Sequence, residues 1–353
     1  MFYNFVRTPA IVKTGMGILG KIDELLHTSH LHFPQKVLIT QKHLYDIYRE
    51  SLLRNEFCDI IFVEGGNTEE AAGIISQIKE NDGLLIAFGG GSVLDLVKYC
   101  ADKADKPYIN IPSALSNDAV YSCVARLTRN GKKYSFGVQP PIGLIVDFDV
   151  VRHSPATLLY AGVADLVSNL SALQDWKLAH KNIHESINEI AYMLSKQSVI
   201  PLFRYKESDL LTEDFLFDLT NGLITSGLSM IICGSTRVTS GAEHLISHAI
   251  DEYFHNRSSI HGLQVGWAHE IINRKYRTGA NDDYDITEYF NRMGVLKVIH
   301  NNLDWEESEF DSLIPYAKKI RNRYTIFNTI MENRYDKFDK FPKADKEKLV
   351  WIA

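Results

Sequence analysis

The sequence predicts an α/β N-terminal domain built on a parallel sheet, followed by an all-α C-terminal domain. Three observations predict it. Short apolar runs alternate with amphipathic stretches through the first half of the chain. Those runs end in glycines or other turn residues, as strands that feed helices do. After about Asp149 the alternation stops, and from Ala161 onward nearly every segment has helical periodicity, punctuated by Pro201 and several glycines. The division is placed at residues 1–155 and 156–353.

In order, KVLIT (Lys36 to Thr40) predicts a strand and HLYDIYRESLL a helix. DIIFVEGG predicts a strand that ends in glycines. TEEAAGIISQIKEN predicts a helix, with Thr68 ahead of Glu69 and Glu70 as its start. GLLIAFGGG is a strand running into a glycine turn, SVLDLVKYCADK a helix, and PYINIPS a further strand. KKYSFGV and IGLIVDF predict strands, the first as part of a hairpin.

Composition narrows the function classes. The 353 residues are 45% hydrophobic and 23% charged, enough for two globular domains. A formal net charge of −6 and the lack of a long basic run argue against a nucleic-acid partner. The N-terminal stretch has no apolar segment after a basic one, and apolar runs are broken well short of about 18 residues, so neither a secretory signal nor a membrane span is expected. Cys58, Cys100, Cys123 and Cys233 are widely spaced with no CxxC pair. They predict reduced, mostly buried thiols and a cytoplasmic protein.

Gly89, Gly90 and Gly91 follow an apolar strand and open a helix. Glycines there let a backbone approach a pyrophosphate, and the helix N-terminus offers N–H groups and partial positive charge. Ser92 can cap that helix or donate to a phosphate oxygen. The turn is neither GxGxxG nor a Walker loop, and taken alone it reads equally well as a tight strand-to-helix connection. Asp95 and Lys98, further into the helix, read alone as a solvated face.

Three segments of the second half belong together: GVADLVSN with Asp165, SGAEHLISHAID with His244 and His248, and HGLQVGW with His261. His244 and His248 are four apart and share a helix face. His261 is seventeen residues beyond His244, far enough for a second helix to begin. Two histidines and one carboxylate leave a coordination position open, as catalytic zinc requires. That position can hold an alcohol oxygen and lower its pKa. Any single one of the thirteen histidines reads more simply as a satisfied polar side chain, and His153, His180, His255 and His269 are read so.

Taken together, these segments resemble the superfamily that holds iron-containing alcohol dehydrogenases, glycerol dehydrogenase, glycerol-1-phosphate dehydrogenase and dehydroquinate synthase. The likeness runs in order from TGMGILGKI through GGGSVLDLVK, IPSALSND, GKKYSF…PIGLIVDFDVV, GVADLVSN and SGAEHLISHAID to HGLQVG. It implies a dehydroquinate synthase-like fold, with a Rossmann-like nucleotide domain, a helical domain and a divalent metal between them. By position, Asp165, His244 and His261 would ligate the metal. Gly89, Gly90, Gly91 and Ser92 would hold the pyrophosphate of NAD or NADP, with Asp95 and Lys98 completing the motif. Ser113 and Ser116 would lie along the cofactor ribose and phosphate. Asp118 would approach substrate hydroxyls, and His248 would stand beside the metal as a proton relay. A homo-oligomer is implied by the resemblance alone.

Iron-type members carry a histidine four residues after the aspartate; in this chain that position is Asn169. A three-ligand site is therefore expected, with zinc favoured over iron or nickel. Dehydroquinate synthase has a glutamate as first ligand and RG and GGK segments, which this chain lacks. ADLVSNLSALQDWKLAH and SGAEHLISHAID are most similar to glycerol-1-phosphate dehydrogenase. The passage SNDAVYSCVARL departs from that branch's SHDG and PRAS-type stretch: the proline is absent and Arg126 is shifted. This passage borders the substrate, so the free polyol of glycerol dehydrogenase stays open beside a polyol phosphate. Arg126, Lys132 and Lys133 are the candidate phosphate contacts, though the lysines read better as a solvated hairpin. Gln41, Lys42 and His43 after the first strand include no acid, which leaves NADP open beside NAD.

Overall fold

The computed structural model describes residues 8–79, 83–277 and 284–338. Among them lie eight strands: β1 (Ile11–Gly15), β2 (Lys36–Thr40), β3 (Asp59–Phe62), β4 (Leu84–Gly89), β5 (Tyr108–Pro112), β6 (Val124–Arg129), β7 (Lys132–Gly137) and β8 (Gly143–Asp147). Six form one parallel sheet in the order β1-β8-β5-β4-β2-β3. β6 and β7 form a separate antiparallel hairpin.

The central strands β2, β4, β5 and β8 are buried nearly throughout, as near-continuous apolar runs in a sheet covered on both faces should be. Side chains alternate between the two faces. Val37, Ile39, Leu85 and Ala87 pack with α3 (Thr68–Ile78) and α4 (Gly91–Ala104). Leu38, Leu84, Ile86 and Phe88 pack with α1 (Ile22–Thr28) and α2 (Lys42–Leu52). The edge strands β1 and β3 are only partly buried. Their mixed composition is why β1, and likewise β6 on the hairpin, gives no strand signal in the sequence, whereas the remaining strands fall where the apolar runs predict them.

Among the described residues every later element is helical: α5 (Phe148–His153), α6 (Ala156–Val167), α7 (Asn169–Ile183), α8 (Glu189–Val199), α9 (Glu213–Cys233), α10 (Ala242–Tyr253), α11 (His261–Tyr276), α12 (Ile286–Arg292), α13 (Val295–Asn302), α14 (Phe310–Ile320) and α15 (Ile326–Phe338), with short 3-10 turns between. Pro201 lies in one of those turns, Ile200–Arg204. One large apolar core joins most of these helices to Leu144 and Val146 of β8 and to Leu115 and Tyr121 after β5, and a smaller cluster of Leu173, Trp176, Ala191, Met230 and Val238 packs α7, α8 and α9 together.

α3 begins at Thr68, as the sequence predicts, and Asn67 caps it, its side chain accepting from the Glu70 N–H. The last expected residues of that helix, Glu80 and Asn81, lie outside the described residues. Three local expectations change. Ser92 does not cap α4, because Gly90 occupies the N-cap and no side chain bonds there. The cysteines are all free, but only Cys100 is buried and Cys58 is exposed. Finally, two helical stretches, Ala156–Ile183 and Glu213–Cys233, are long and apolar enough to cross a membrane, where the sequence predicts no such length. They are core helices, with 72% and 61% of their most apolar windows buried against other elements.

Candidate metal and nucleotide cleft

β2 leads away to β3 on one side while β4 leads to β5 on the other, so the connections diverge above the C-terminal ends of the sheet. Ligands bind at such a switch point in open α/β sheets. A cavity of about 450 Å³ opens at this point, lined on the sheet side by Gly65, Gly66, Gly91 and Ser92. Gly65 and Gly66 have φ of +91° and +93°, a region L side chains rarely adopt. A Cβ on Gly65 would come within 3.3 Å of Ser92 Oγ. In the sequence this second glycine turn reads only as a strand end; its signal is a glycine pair at the carboxyl end of a strand, the same as at Gly89 to Gly91.

Of the predicted cofactor residues, Gly91, Ser92, Asp95 and Ser116 line the cavity. Gly89 is set behind it, where a Cβ would meet Val93 at 2.7 Å, so its smallness serves strand-to-helix packing. Gly90 is the N-cap, and Ser113 donates its N–H to the Gly89 carbonyl. Asp95 is fully engaged: Oδ1 accepts from Lys98 Nζ at 3.0 Å and Oδ2 from the Arg126 N–H at 3.1 Å. Lys98, wholly buried, also donates to Ser122 Oγ and the Val124 carbonyl. The pair is thus a strut between α4 and the β6–β7 hairpin, not a solvated face. Gln41 donates to the Glu64 carbonyl, and Lys42 pairs with Asp46.

The opposite wall comes from the helices, brought close by glycines. A Cβ on Gly262 would lie 2.2 Å from the Ala161 carbonyl oxygen, so α11 runs against α6 in backbone contact. A Cβ on Gly162 would lie 1.9 Å from the Leu115 carbonyl oxygen, so the loop after β5 lies as tightly on the other side of α6. These two approaches bring Asp165 beside His261 and beneath Asp118.

Asp165, His244 and His261 converge. One ligand atom from each lies within 4.8 Å of the others. His244 Nε2 is 3.5 Å and His261 Nε2 is 3.9 Å from Asp165 Oδ1. That oxygen is buried with no hydrogen-bond partner among the described residues, while Oδ2 accepts from the Asp118 N–H at 3.2 Å. His244 Nδ1 meets Glu243 Oε1 at 2.9 Å, and His261 Nδ1 meets Ser247 Oγ at 2.8 Å. Protons held on those Nδ1 atoms leave both Nε2 lone pairs turned toward the orphaned oxygen, the arrangement outer partners impose on metal-ligating histidines. A small divalent cation fits: two imidazole nitrogens, one carboxylate oxygen and an open side. Asn169 donates to Ser198 Oγ and Ser226 Oγ at 3.2 and 2.9 Å, so its amide nitrogen is committed to α8 and α9.

The electrostatics of the set ask for positive charge. Burial would depress His244, yet the carboxylates of Asp165 and Glu243 more than offset it and raise its pKa to about 9. Asp118 is pushed up to about 6, by burial first and by Asp165 second. Crowded carboxylates that hold an imidazolium between them will also hold a metal cation in its place.

His248 lies next to this set, its ring stacked on His261 with centroids 5.5 Å apart. Its Nδ1 accepts from Arg126 Nη1. Burial first, then the Arg126 charge, holds its pKa well below the usual histidine value. A second carboxylate–histidine group, His248, Asp251 and His261, is less suited to a cation. Asp251 already accepts from Arg126 at 2.9 Å and Gln264 at 3.2 Å, with Lys133 at 3.5 Å. Arg126 is therefore part of the centre, whereas Lys132 lines only an adjoining space of about 430 Å³. Arg321, Thr236 and Ser240 also line the main cleft, and nothing in their local sequence marks them.

The family model for iron-containing alcohol dehydrogenase matches residues 13–155. Glycerol-1-phosphate dehydrogenase [NAD(P)+] of Pyrococcus horikoshii is 36% identical over 270 residues, 74% of this chain and 77% of that protein. The protein of the same name from Archaeoglobus fulgidus is 32% identical over 338 residues, 94% and 95% of the two chains. Among solved structures, glycerol dehydrogenase from Schizosaccharomyces pombe has the same fold, with a TM-score of 0.70 at 16% identity over 97% of this chain and 94% of that one.

Proposed function

The chain belongs to the iron-containing alcohol dehydrogenase family and is an oxidoreductase, and from that premise we propose that it interconverts glycerol 1-phosphate and dihydroxyacetone phosphate with NAD or NADP and one divalent metal. The observation that carries this reading is Asp165 Oδ1, buried without a partner and faced by two imidazole nitrogens at the edge of a glycine-lined cleft. Glycerol dehydrogenase, the free-polyol alternative, is supported by likeness of fold alone.

Residues 1–155 would hold the dinucleotide and residues 156–353 the metal. Asp165, His244 and His261 would hold the cation, with zinc favoured because Asn169 is not a fourth imidazole. When bound, the metal polarises the substrate carbonyl and the nicotinamide supplies hydride. The chain's own residues bind and orient. Gly65, Gly66, Gly91 and Ser92 let the backbone approach the cofactor phosphates. Ser116 adds a hydroxyl to that wall. Ser113 acts from behind it, and Asp95, on the lining itself, supports the hairpin that carries Arg126. Asp118 stands over the metal set and would orient a neighbouring substrate hydroxyl.

His248 has a narrower role than a free relay. Because Nδ1 accepts from a guanidinium, the ring proton sits on Nε2. A neutral imidazole so held donates one hydrogen bond to a substrate oxygen, and it can take up a second proton only if Arg126 moves away.

A spectrophotometric assay tests the proposal. Protein loaded with zinc should oxidise NADH or NADPH in the presence of dihydroxyacetone phosphate, and a chelator should abolish the rate. Full turnover in chelator with no bound metal would remove the metal-centred mechanism.

A further inference from the structure

The helical wall of the cleft carries a positive charge that the reaction centre leaves unmatched. Arg126 is committed to His248 and Asp251, and Lys133 lies 3.5 Å from the same Asp251. Arg321 has no such partner. It ends α14, is half-buried, and lines both the main cleft and the space that adjoins it. Its Nη1 donates to Thr236 Oγ1 at 3.1 Å, and among the described residues no carboxylate pairs with it. Arg323 Nη2 donates to the same Thr236 oxygen at 3.2 Å, so two guanidinium groups crowd one hydroxyl.

The surroundings of Arg321 make the imbalance plain. Burial first, then the charge of Arg126, push its pKa down. A guanidinium nevertheless stays protonated at neutral pH. Its charge also reaches the centre, where it lowers the pKa of both His248 and His261. Beside Thr236 on this wall, Ser240 is 4% exposed and its hydroxyl has no hydrogen-bond partner among the described residues. A half-buried guanidinium without a counter-ion and a buried hydroxyl without a partner share the lining of one cavity with the metal set. An anion with several acceptor oxygens satisfies both, and a phosphate matches the planar fork of arginine.

We propose that Arg321, with the hydroxyls of Thr236 and Ser240, binds the phosphate of the substrate, and that Arg321 is the residue that selects a phosphorylated over a free polyol. This rests on the dehydrogenase reading and specifies its substrate class. It also accounts for the departure at SNDAVYSCVARL. The arginine of that passage is occupied as a support for His248 and Asp251, and the phosphate contact comes from a segment about two hundred residues further along.

The test compares kcat/KM for dihydroxyacetone phosphate and dihydroxyacetone on the metal-loaded enzyme, for the wild type, Arg321→Ala and Arg321→Lys. Inorganic phosphate serves as a competitive probe. Wild type should prefer the phosphorylated ketone. Arg321→Ala should reduce that preference about 10- to 100-fold and weaken phosphate inhibition by a similar factor, mainly through KM. Arg321→Lys should recover part of both. If Arg321→Ala does not fold, the phosphate inhibition constant of Arg321→Lys decides, with metal content and NADH binding as controls: an unchanged constant refutes the assignment. A wild type with no preference for the phosphorylated ketone would overturn the substrate reading and this inference together. A wild-type preference that survives in Arg321→Ala overturns the role of Arg321 alone.

Discussion

Arg126 closes one side of His248. Its Nη1 donates to Nδ1 of the imidazole, while its Nη2 holds Asp251 at 2.9 Å and its backbone N–H is held by Asp95. One residue thus fixes the tautomer of His248 and anchors the β6–β7 hairpin to α4 and α10.

A lysine at this position can reach one partner but not two. Arg126→Lys should lower kcat about 10-fold or more without loss of metal, because a bidentate fork is replaced by a point charge. His248→Ala, which removes the donor itself, should lower kcat about 100-fold, again with metal content near normal. Metal analysis beside steady-state kinetics checks both. Loss of metal from His248→Ala would make that side chain a ligand rather than a hydrogen-bond donor to substrate.

The three proposed metal ligands differ from the groups that aim them. Asp165→Asn removes the negative charge of the carboxylate and His261→Ala removes a donor nitrogen, and each should abolish metal retention and turnover. Glu243 acts at one remove, through His244 Nδ1, and also accepts from Ser171 and the Gly241 N–H. Burial works against its ionisation, but His244 and these hydrogen bonds hold its pKa down at about 2. Glu243→Gln should weaken metal affinity about 10- to 100-fold while the ligands themselves remain. Competition with a chromophoric chelator measures it, and an unaltered affinity would make Glu243 merely a buried acid.

The sequence makes some of this legible and hides the rest for physical reasons. β2, β4, β5 and β8 are readable because a doubly covered parallel strand must be apolar on both faces. β1 and β3 are sheet edges, and only β3 carries enough Ile and Phe to show. Asp165, His244 and His261 sit in motifs whose spacing survives in the chain, so their meeting can be expected. Gly65 and Gly66 carry the same signal as Gly89 to Gly91 but read only as a turn. Arg321 cannot be found from sequence: it lies 60 residues past His261 in no motif, and only the packing of α14 on α10 brings it to the cleft.

Gly65 gives a test of the nucleotide side. Its φ of +91° and the 3.3 Å approach of a Cβ to Ser92 Oγ make any side chain both strained and obstructive. The strain alone is about 1–2 kcal/mol. Gly65→Ala should therefore raise the KM for the cofactor about 10-fold and leave metal affinity as it is. Fluorescence titration with NADH reads the first and metal analysis the second. An unchanged cofactor affinity in a folded Gly65→Ala protein would move the dinucleotide off this turn.

His269 offers a prediction about stability rather than turnover. It is buried on α11 with Nδ1 lacking a hydrogen-bond partner among the described residues, and its ring meets Phe290 edge-on. Burial, helped by the charges of Arg277 and His244 and opposed by Glu243, lowers its pKa to about 3. The unfolded chain titrates this group near 6.5. Above that pH both states are neutral and the group contributes fully. As pH falls below it, the unfolded chain takes up a proton that the folded chain refuses, and stability declines down to about pH 3. The loss at pH 5 amounts to about 2 kcal/mol. His269→Leu removes the linkage while retaining an apolar body among Phe290 and its neighbours. Between pH 7 and pH 5 the stability of His269→Leu relative to wild type should therefore rise by about that amount, as read from urea unfolding at each pH. A difference that stays constant across this range would mean that His269 accepts its proton in the folded protein as readily as in the unfolded chain.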